Sequence, residues 1–476
     1  MAAMGLLVDN PIIVKHLRSR LRPALALPGA IALACLAAAL TWLAFASDAA
    51  GGGAGGFIGG SVIFSLLWCL LALILVVIGS EQVATAVSVA RETGILDFHR
   101  ISPLPPQTVA VGFFLGAPIR ETVYALLLLP FLVATAMLAE MPWTTLVDLL
   151  ATVVLVAWLV HASQLVSALV SRRPRASARG ILVLVFIALG SVASAVRGEA
   201  ALADVATPPF FGVPLPRAVF LGIHTLAATW FLLVAATRRM RDQRAALLSK
   251  WQALACLATV ATLAVGCLWT AEPTTALVVL LAAVVVAGVV CGLPIAVTAG
   301  EYLKGVRRAR RIGRAGPPPL DDAAPSGLCV VGLCTVAATA ATVLQQRLAA
   351  DPRAWTWGFS LGLLVIATHG FARQFYRLSG GRRGDLLCNL VLFLIWVLPL
   401  PVAAAWSASD LDAQLGRVLW GATPWAGMAE AVAATNASDP PWPAFVATGL
   451  SALVFWIRAT RQAAIARRDA EAPGPA

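Results

Sequence analysis

Five histidines, His16, His99, His161, His224 and His369, are scattered through the chain. None belongs to an H-E-x-x-H helix, the pattern that sets two zinc ligands on one face. His161, His224 and His369 fall inside long apolar runs. Ionisable groups placed in lipid are usually paired or functional, so these three are candidates for an intramembrane polar role. A neutral imidazole bonded to a neighbouring backbone group is the plainer alternative. The 8 cysteines also lie in or beside apolar runs and form no C-x-x-C pair. They read as small buried hydrophobes, neither a metal centre nor a disulfide framework. No G-x-x-x-x-G-K-[ST] phosphate loop occurs, and the glycine-rich stretch 51–60 has no lysine. The chain is therefore expected to be no enzyme, with no metal and no cofactor. Glu81, Asp148, Glu301 and Asp385 sit near the ends of apolar runs, not in their middles. Carriers coupled to a proton gradient generally keep a carboxylate within the membrane, so energy is expected to come from elsewhere.

One connection between apolar runs is dense in charge and breaks: "RETGILDFHRISPLPP", residues 91–106. Gly94 is expected to turn the chain through backbone angles closed to other residues. Asp97, His99 and Arg100 are expected to face water. Pro103, Pro105 and Pro106 should end any helix and fix a bend. The apolar "QTVAVGFFLGAP" that follows reads as an interfacial helix, before a span that begins at Arg120–Glu121. The product is a small, stiff, charged knob held by membrane helices at both ends. Further upstream, "DNPIIVKHLRSRLRP" (9–23) has Asn10 as a cap and Pro11 at the first helical position. Ile13, Leu17 and Leu21 form a stripe opposite Arg18 and Arg22, the pattern of an interfacial helix.

The elements that must carry these residues are membrane spans. The 476 residues are 60% hydrophobic and 12% charged, against about 25% charged in soluble domains. Apolar blocks recur near the roughly 20 residues that cross a bilayer. About twelve are read, at 24–46, 57–79, 119–139, 144–170, 178–196, 217–237, 251–271, 275–299, 325–345, 354–372, 385–406 and 441–459. The fold class is an all-α polytopic transmembrane helix bundle. The net charge of +12 is concentrated in short loops, which excludes a nucleic-acid role in favour of the positive-inside rule. Arginine-rich loops alternate with loops holding Asp48, Glu140, Glu272, Asp351, Asp410 and Asp439, so both termini are expected in the cytoplasm. The Ala/Arg-rich composition points to a bacterial inner (plasma) membrane. The first span reads as a retained anchor rather than a cleaved signal. In the longest outer loop, 407–440, "LWGATPWAGMAEAVAATNAS" is apolar enough for a short helix on the membrane face. "NAS" at Asn436 is taken as a chance match to a glycosylation acceptor.

An even count invites two parallel six-span halves: a first half at 1–240, holding the interfacial helix 9–23 and the segment 91–106, a second at 241–460, and a tail at 461–476. "VHASQLVSALVSRRPRASARG" and "THGFARQFYRLSGGRRGDLL" both place a histidine, His161 or His369, before an arginine pair. "IGSE" at Glu81 and "TAGE" at Glu301 close corresponding spans.

"RETGILDFHRISPLPPQTVAVGFFLGAPIRE" resembles the signature of the membrane subunits of type-two ABC exporters. In that family an acidic–basic pair precedes a Gly-(Thr)-Leu-Asp/Glu run, a Ser/Thr-Pro-Leu turn and a glycine-bearing helix. Arg91, Glu92, Gly94, Leu96, Asp97, Ser102, Pro103, Leu104 and Gly112 follow the pattern. Ile95 replaces the usual threonine, His99 and Arg100 replace apolar residues, and no lysine follows Gly112. The Asn-Pro start of the 9–23 helix is similar as well. The likeness covers about an eighth of the chain. It implies a permease energised by a separate cytoplasmic ATP-binding subunit, docked through Arg91, Glu92, Gly94, Asp97, Arg100, Ser102 and Pro103. Most members have six spans, so twelve departs from the family. Two alternatives stand beside it. "LSGGRRGD" (378–385) faintly resembles the Gly/Arg/Asp loop of major-facilitator carriers, which suggests a six-plus-six secondary carrier. A lipid-linked glycosyl or polyprenyl transferase would need the outer carboxylates Asp48, Asp410 and Asp412.

Overall fold

A computed structural model describes residues 10–49, 59–171, 209–243, 245–350, 352–408, 420, 422–433 and 441–471. Its elements are helices, with one isolated β-bridge between Phe210 and Val213. Ten helices among the described residues are long and apolar enough to cross a membrane. The chain is thus an all-α, multi-pass membrane bundle. It divides into one unit of residues 1–207 and 215–247 and another of 208–214 and 248–476.

The first unit runs α1 (Pro11–Arg20), α2 (Pro23–Ala49), α3 (Gly60–Glu92), α4 (Ile95–Ile101), α5 (Pro106–Gly116), α6 (Ile119–Leu138), α7 (Trp143–Val170) and α8 (Arg217–Arg241). Asn10 caps α1 by accepting from the Ile12 and Ile13 amides at 3.0 and 3.4 Å, and Pro11 holds the first helical position. α2 keeps its large apolar side chains, Leu25, Ile31, Leu36 and Trp42, exposed, and buries only small residues such as Ala37 and Ala44. In lipid there is no hydrophobic gain in hiding a leucine, so close helix approach through small residues is what holds such an interface. α3 continues past the expected span 57–79 to Glu92, and its middle turns, Leu73–Ile78, are π-helical. It packs along α6 and α7, and α8 packs along α7 and α5. The expected span 178–196 lies outside the described residues.

The second unit runs α9 (Lys250–Leu268), α10 (Pro273–Gly292), α11 (Ala299–Arg311), α12 (Gly327–Leu348), α13 (Pro352–Gly380), α14 (Gly384–Trp396), α15 (Pro399–Ala408), α16 (Pro424–Ala433) and α17 (Trp442–Glu471). Capping boxes start α9 (Ser249 with Gln252) and α11 (Thr298 with Glu301), a reciprocal closure of two otherwise orphaned amides. Glu301 therefore opens a helix here and does not close a span. α13 carries the expected tenth span and is less apolar than the ten spanning helices, since it holds Thr356, Thr368 and His369. The reason is its position: α10, α12, α14, α16 and α17 all pack on it, so protein rather than lipid surrounds it. Pro399 splits the eleventh span into α14 and α15.

Two details differ from the sequence reading. The helix within the 407–440 loop, α16, is packed into the bundle: it buries Ala426 and Met428 and packs against α13 and α17, with Gly427 close against Ala444. The C-terminal tail is helical to Glu471, and its Ala466 packs with Val306 of α11. Asn436 lies outside the described residues.

Candidate coupling site and the buried polar residues

The segment 91–106 folds as a strapped turn. α3 ends at Glu92, and Gly94 adopts φ +75°. A Cβ at Gly94 would meet nothing within 4 Å, so backbone angle, not space, selects glycine there. The seven-residue α4 follows. Ser102 is extended, its hydroxyl donates to the His99 carbonyl at 2.9 Å, and Pro106 starts α5. Leu96 is buried and anchors α4 inward. Glu92 and Pro103 are exposed, as is Asp97, at 70% for its side chain.

The two arginines do not face water as freely as the charge pattern suggested. Arg91 donates to the Ala168 and Ser171 carbonyls at 2.9 and 2.6 Å, at the C-terminal end of α7. Arg100 is only 15% exposed. It donates through Nε to the Met240 carbonyl at 3.1 Å, at the end of α8, and its guanidinium also meets Asp97 and the Arg239 carbonyl. Unsatisfied carbonyls at a helix C-terminus carry partial negative charge, and these two guanidiniums satisfy them. The expectation that Arg100 faces water is corrected accordingly. His99 is half-buried, and burial, with the nearby Lys15 charge, lowers its pKa from the ordinary histidine value.

What sequence reading missed on α4 is apolar. Phe98 and Ile101 are 63% and 84% exposed. At 100° per residue they share the outward face with Asp97, opposite Leu96. The i, i+3 spacing of Phe98 and Ile101 was available as a signal, but the surrounding charges drew the reading.

α1 is fixed to this element through α5. Gly112 and Gly116 stand one turn apart; a Cβ at Gly112 would lie 2.6 Å from the Ile12 Cβ, and one at Gly116 3.1 Å from the Ile13 Cα. Asn10 donates to the Thr108 carbonyl at 2.8 Å, and His16 meets Phe113 edge-on at 5.7 Å. α1 thus turns Ile12, Ile13 and His16 toward α5, while Leu17 of the expected apolar stripe remains 44% exposed. Burial, then Arg20 and Lys15, push the His16 pKa down to about 4. At its C-terminal end Arg20 donates to Gln82 of α3. Nearby, Glu121 at the start of α6 is 1% exposed and accepts from Arg120 at 2.8 and 3.1 Å; its second oxygen has no hydrogen-bond partner. Sequence reading had used Glu121 only to mark the start of a span.

The three intramembrane histidines have separate surroundings. His161 on α7 meets the Leu75 carbonyl at 2.9 Å, within the π-helical turns of α3. Gly79 makes room for it, since a Cβ there would lie 2.8 Å from Nε2. His224 meets the Phe220 carbonyl of its own helix at 2.7 Å. His369 on α13 is buried beside Gly292, and its Nδ1 has no hydrogen-bond partner. Below it, α13 wraps the irregular backbone between α10 and α11. Arg373 and Arg377 donate to the Leu293 and Ala296 carbonyls at 3.1 and 2.6 Å. Gln374 joins the Val297 backbone and the Ser326 amide. Asp385 pairs with both arginines, bidentate to Arg377 at 2.7 and 2.9 Å. In each unit, then, a histidine of a long helix stands beside a glycine of a neighbouring helix.

No known protein family, curated protein or solved structure matches the chain.

Proposed function

We propose that the chain is the membrane subunit of an ATP-driven exporter of the type-two ABC class. It would lie in a bacterial plasma membrane with both termini cytoplasmic, and a separate ATP-binding subunit would dock on α4. The observation that carries this reading is α4 itself: a seven-residue helix that presents Asp97, Phe98 and Ile101 outward. Arg100 ties it to the last turn of α8, and Arg91, in the last turn of α3 just before it, is tied to the end of α7. A push on that exposed face has rigid paths into two helices. An aromatic and a β-branched side chain ringed by charge is also the composition of a small protein-docking spot. Glu92 is exposed for a charge-assisted contact with a partner, worth about 1.5–3 kcal/mol, while Asp97, paired with Arg100, keeps an exposed edge. Arg91 and Arg100 serve as struts in this reading.

A gradient-driven carrier is the second reading, and one observation favours it: Glu121 is a buried carboxylate with an unmet oxygen. A single experiment separates the two. The detergent-solubilised chain, co-expressed with its neighbouring reading frames, is captured by affinity tag beside Ile101→Asp and Glu92→Arg. ATPase activity is then measured in the eluates. The ATP-driven reading expects the wild type to bring down an ATPase, and expects either variant to lose it roughly ten- to a hundredfold with an unchanged gel-filtration profile. A wild-type eluate without a nucleotide-binding protein returns the chain to the carrier reading.

A further inference from the structure

Behind α4 lies a cavity of about 200 Å³, lined by Leu96, Val109, His99, Arg100, Ser102 and Arg241 among others. Its floor is apolar and its polar wall is basic. Arg100 closes off the acceptors that would repel an anion there: it covers the Met240 and Arg239 carbonyls and neutralises Asp97. Arg241 is exposed at the rim, and Lys15 is near enough to act on the His99 ring. The buried Nδ1 of His99 has no hydrogen-bond partner. A neutral imidazole can place its proton on either nitrogen, so this atom is a donor in reserve. An unmet buried polar atom is costly and calls for a partner.

We infer that this cavity is a binding site for a phosphate group, with Arg241 supplying positive charge and His99 a hydrogen bond, while Arg100 masks the acceptors of the wall. Guanidinium groups suit phosphate because their donors match its oxygens in pairs. The cavity lies between α4, α5 and the end of α8, and basic pockets between membrane helices commonly take anionic headgroups. The phosphate could be that of a lipid or a free anion; both offer the same oxygens to the same residues. This inference stands on the cavity alone and is independent of the ATP-driven reading.

Two probes test it on the full-length chain, purified in detergent and phosphate-free buffer. Retention of dioleoylphosphatidylglycerol is titrated by native mass spectrometry, with dioleoylglycerol as the uncharged control. Radiolabelled inorganic phosphate is titrated in parallel by equilibrium dialysis. One saturable site is expected for at least one phosphate probe and none for dioleoylglycerol. Arg241→Gln, at an exposed position, should weaken it about tenfold, the loss of one charge-assisted contact. Ser102→Leu, which fills space without changing charge, should weaken it as well. His99→Leu gives a third variant that removes the donor and leaves both arginines. Saturable lipid without saturable phosphate assigns the site to a headgroup; saturable phosphate assigns it to a free anion. If neither probe saturates, or if the wild type and all three folded variants bind alike, the inference is overturned.

Discussion

Residues of one type take different roles in the bundle according to the backbone beside them. His161 meets a carbonyl in turns of α3 that are wound as a π-helix, where i→i−4 pairing is given up and function is often found. His224 meets a carbonyl of its own helix, that of Phe220. The residue types were identical in the sequence, and nothing in the spacing separated them, because the distinction lies in a neighbouring helix's winding. Glu121 was hidden for a related reason: it opens an apolar run beside Arg120, so it read as an interfacial charge, yet its side chain is 1% exposed. His16 offers a test at this scale. Its folded pKa is lowered to about 4 from 6.5, by burial first. The folded protein therefore binds fewer protons than the unfolded chain wherever this ring titrates. Its contribution to stability is fully present above about pH 6.5 and is lost as pH falls from there toward the folded value. Thermal melts of the detergent-solubilised protein between pH 7 and 4 should show the midpoint falling on acidification. In His16→Gln, which keeps a neutral polar group, that fall should be shallower. Parallel pH profiles for the two proteins would remove His16 as the titrating group.

At the scale of elements, local sequence was a good guide wherever a backbone rule decided the outcome. Asn10–Pro11 started a helix, Gly94 turned with positive φ, and Pro106 began α5. It was a poor guide wherever a long side chain chose among partners. Arg91 and Arg100 are long enough to reach water or a helix end, and the carbonyls at the ends of α7 and α8 decided the matter. α1 and α5 act as one piece because glycines at 112 and 116 let the helices touch through backbone and Cβ atoms. Gly112→Ala should therefore force α1 away, since the added methyl would lie 2.6 Å from the Ile12 Cβ and 2.9 Å from Asn10 Oδ1. Overpacking of this kind costs about 1–3 kcal/mol. The expected result is faster limited proteolysis within residues 10–23, together with a lower melting midpoint. Gly94→Ala should instead leave α1 protected, because its cost, about 1–2 kcal/mol, arises from backbone angle alone. Equal protection of α1 in the wild type and Gly112→Ala would mean that the glycine contact does not hold this pair together.

For the whole molecule, hydropathy located the spans because lipid rewards an apolar surface directly, and it weakened where protein replaced lipid. α13, enclosed by five helices, can carry Thr368, His369, Arg373 and Gln374 on buried faces, so it looks less like a span than the helices around it. The same enclosure hides the arginine–aspartate pairing that joins α13 to α14. Sidedness is not fixed by burial, and it rests on charge. Arg307, Arg308, Arg310, Arg311 and Arg314 follow α10, while Glu140 and Glu272 stand in the connections α6–α7 and α9–α10. Trp42, Trp143 and Trp442 are 71%, 59% and 63% exposed at helix ends assigned to the outer side, the level where indole rings favour the headgroup region. An arginine-rich loop resists translocation, so the positive loops stay where insertion begins. Single cysteines at Ala315 and Glu140, both exposed, in a background lacking the 8 native cysteines should therefore label from opposite sides of the membrane. A membrane-impermeant maleimide applied to intact cells should reach position 140 and reach position 315 only after permeabilisation. Labelling of both positions in intact cells would break the alternation on which cytoplasmic termini depend, and with it the placement of α4 on the side where ATP is found.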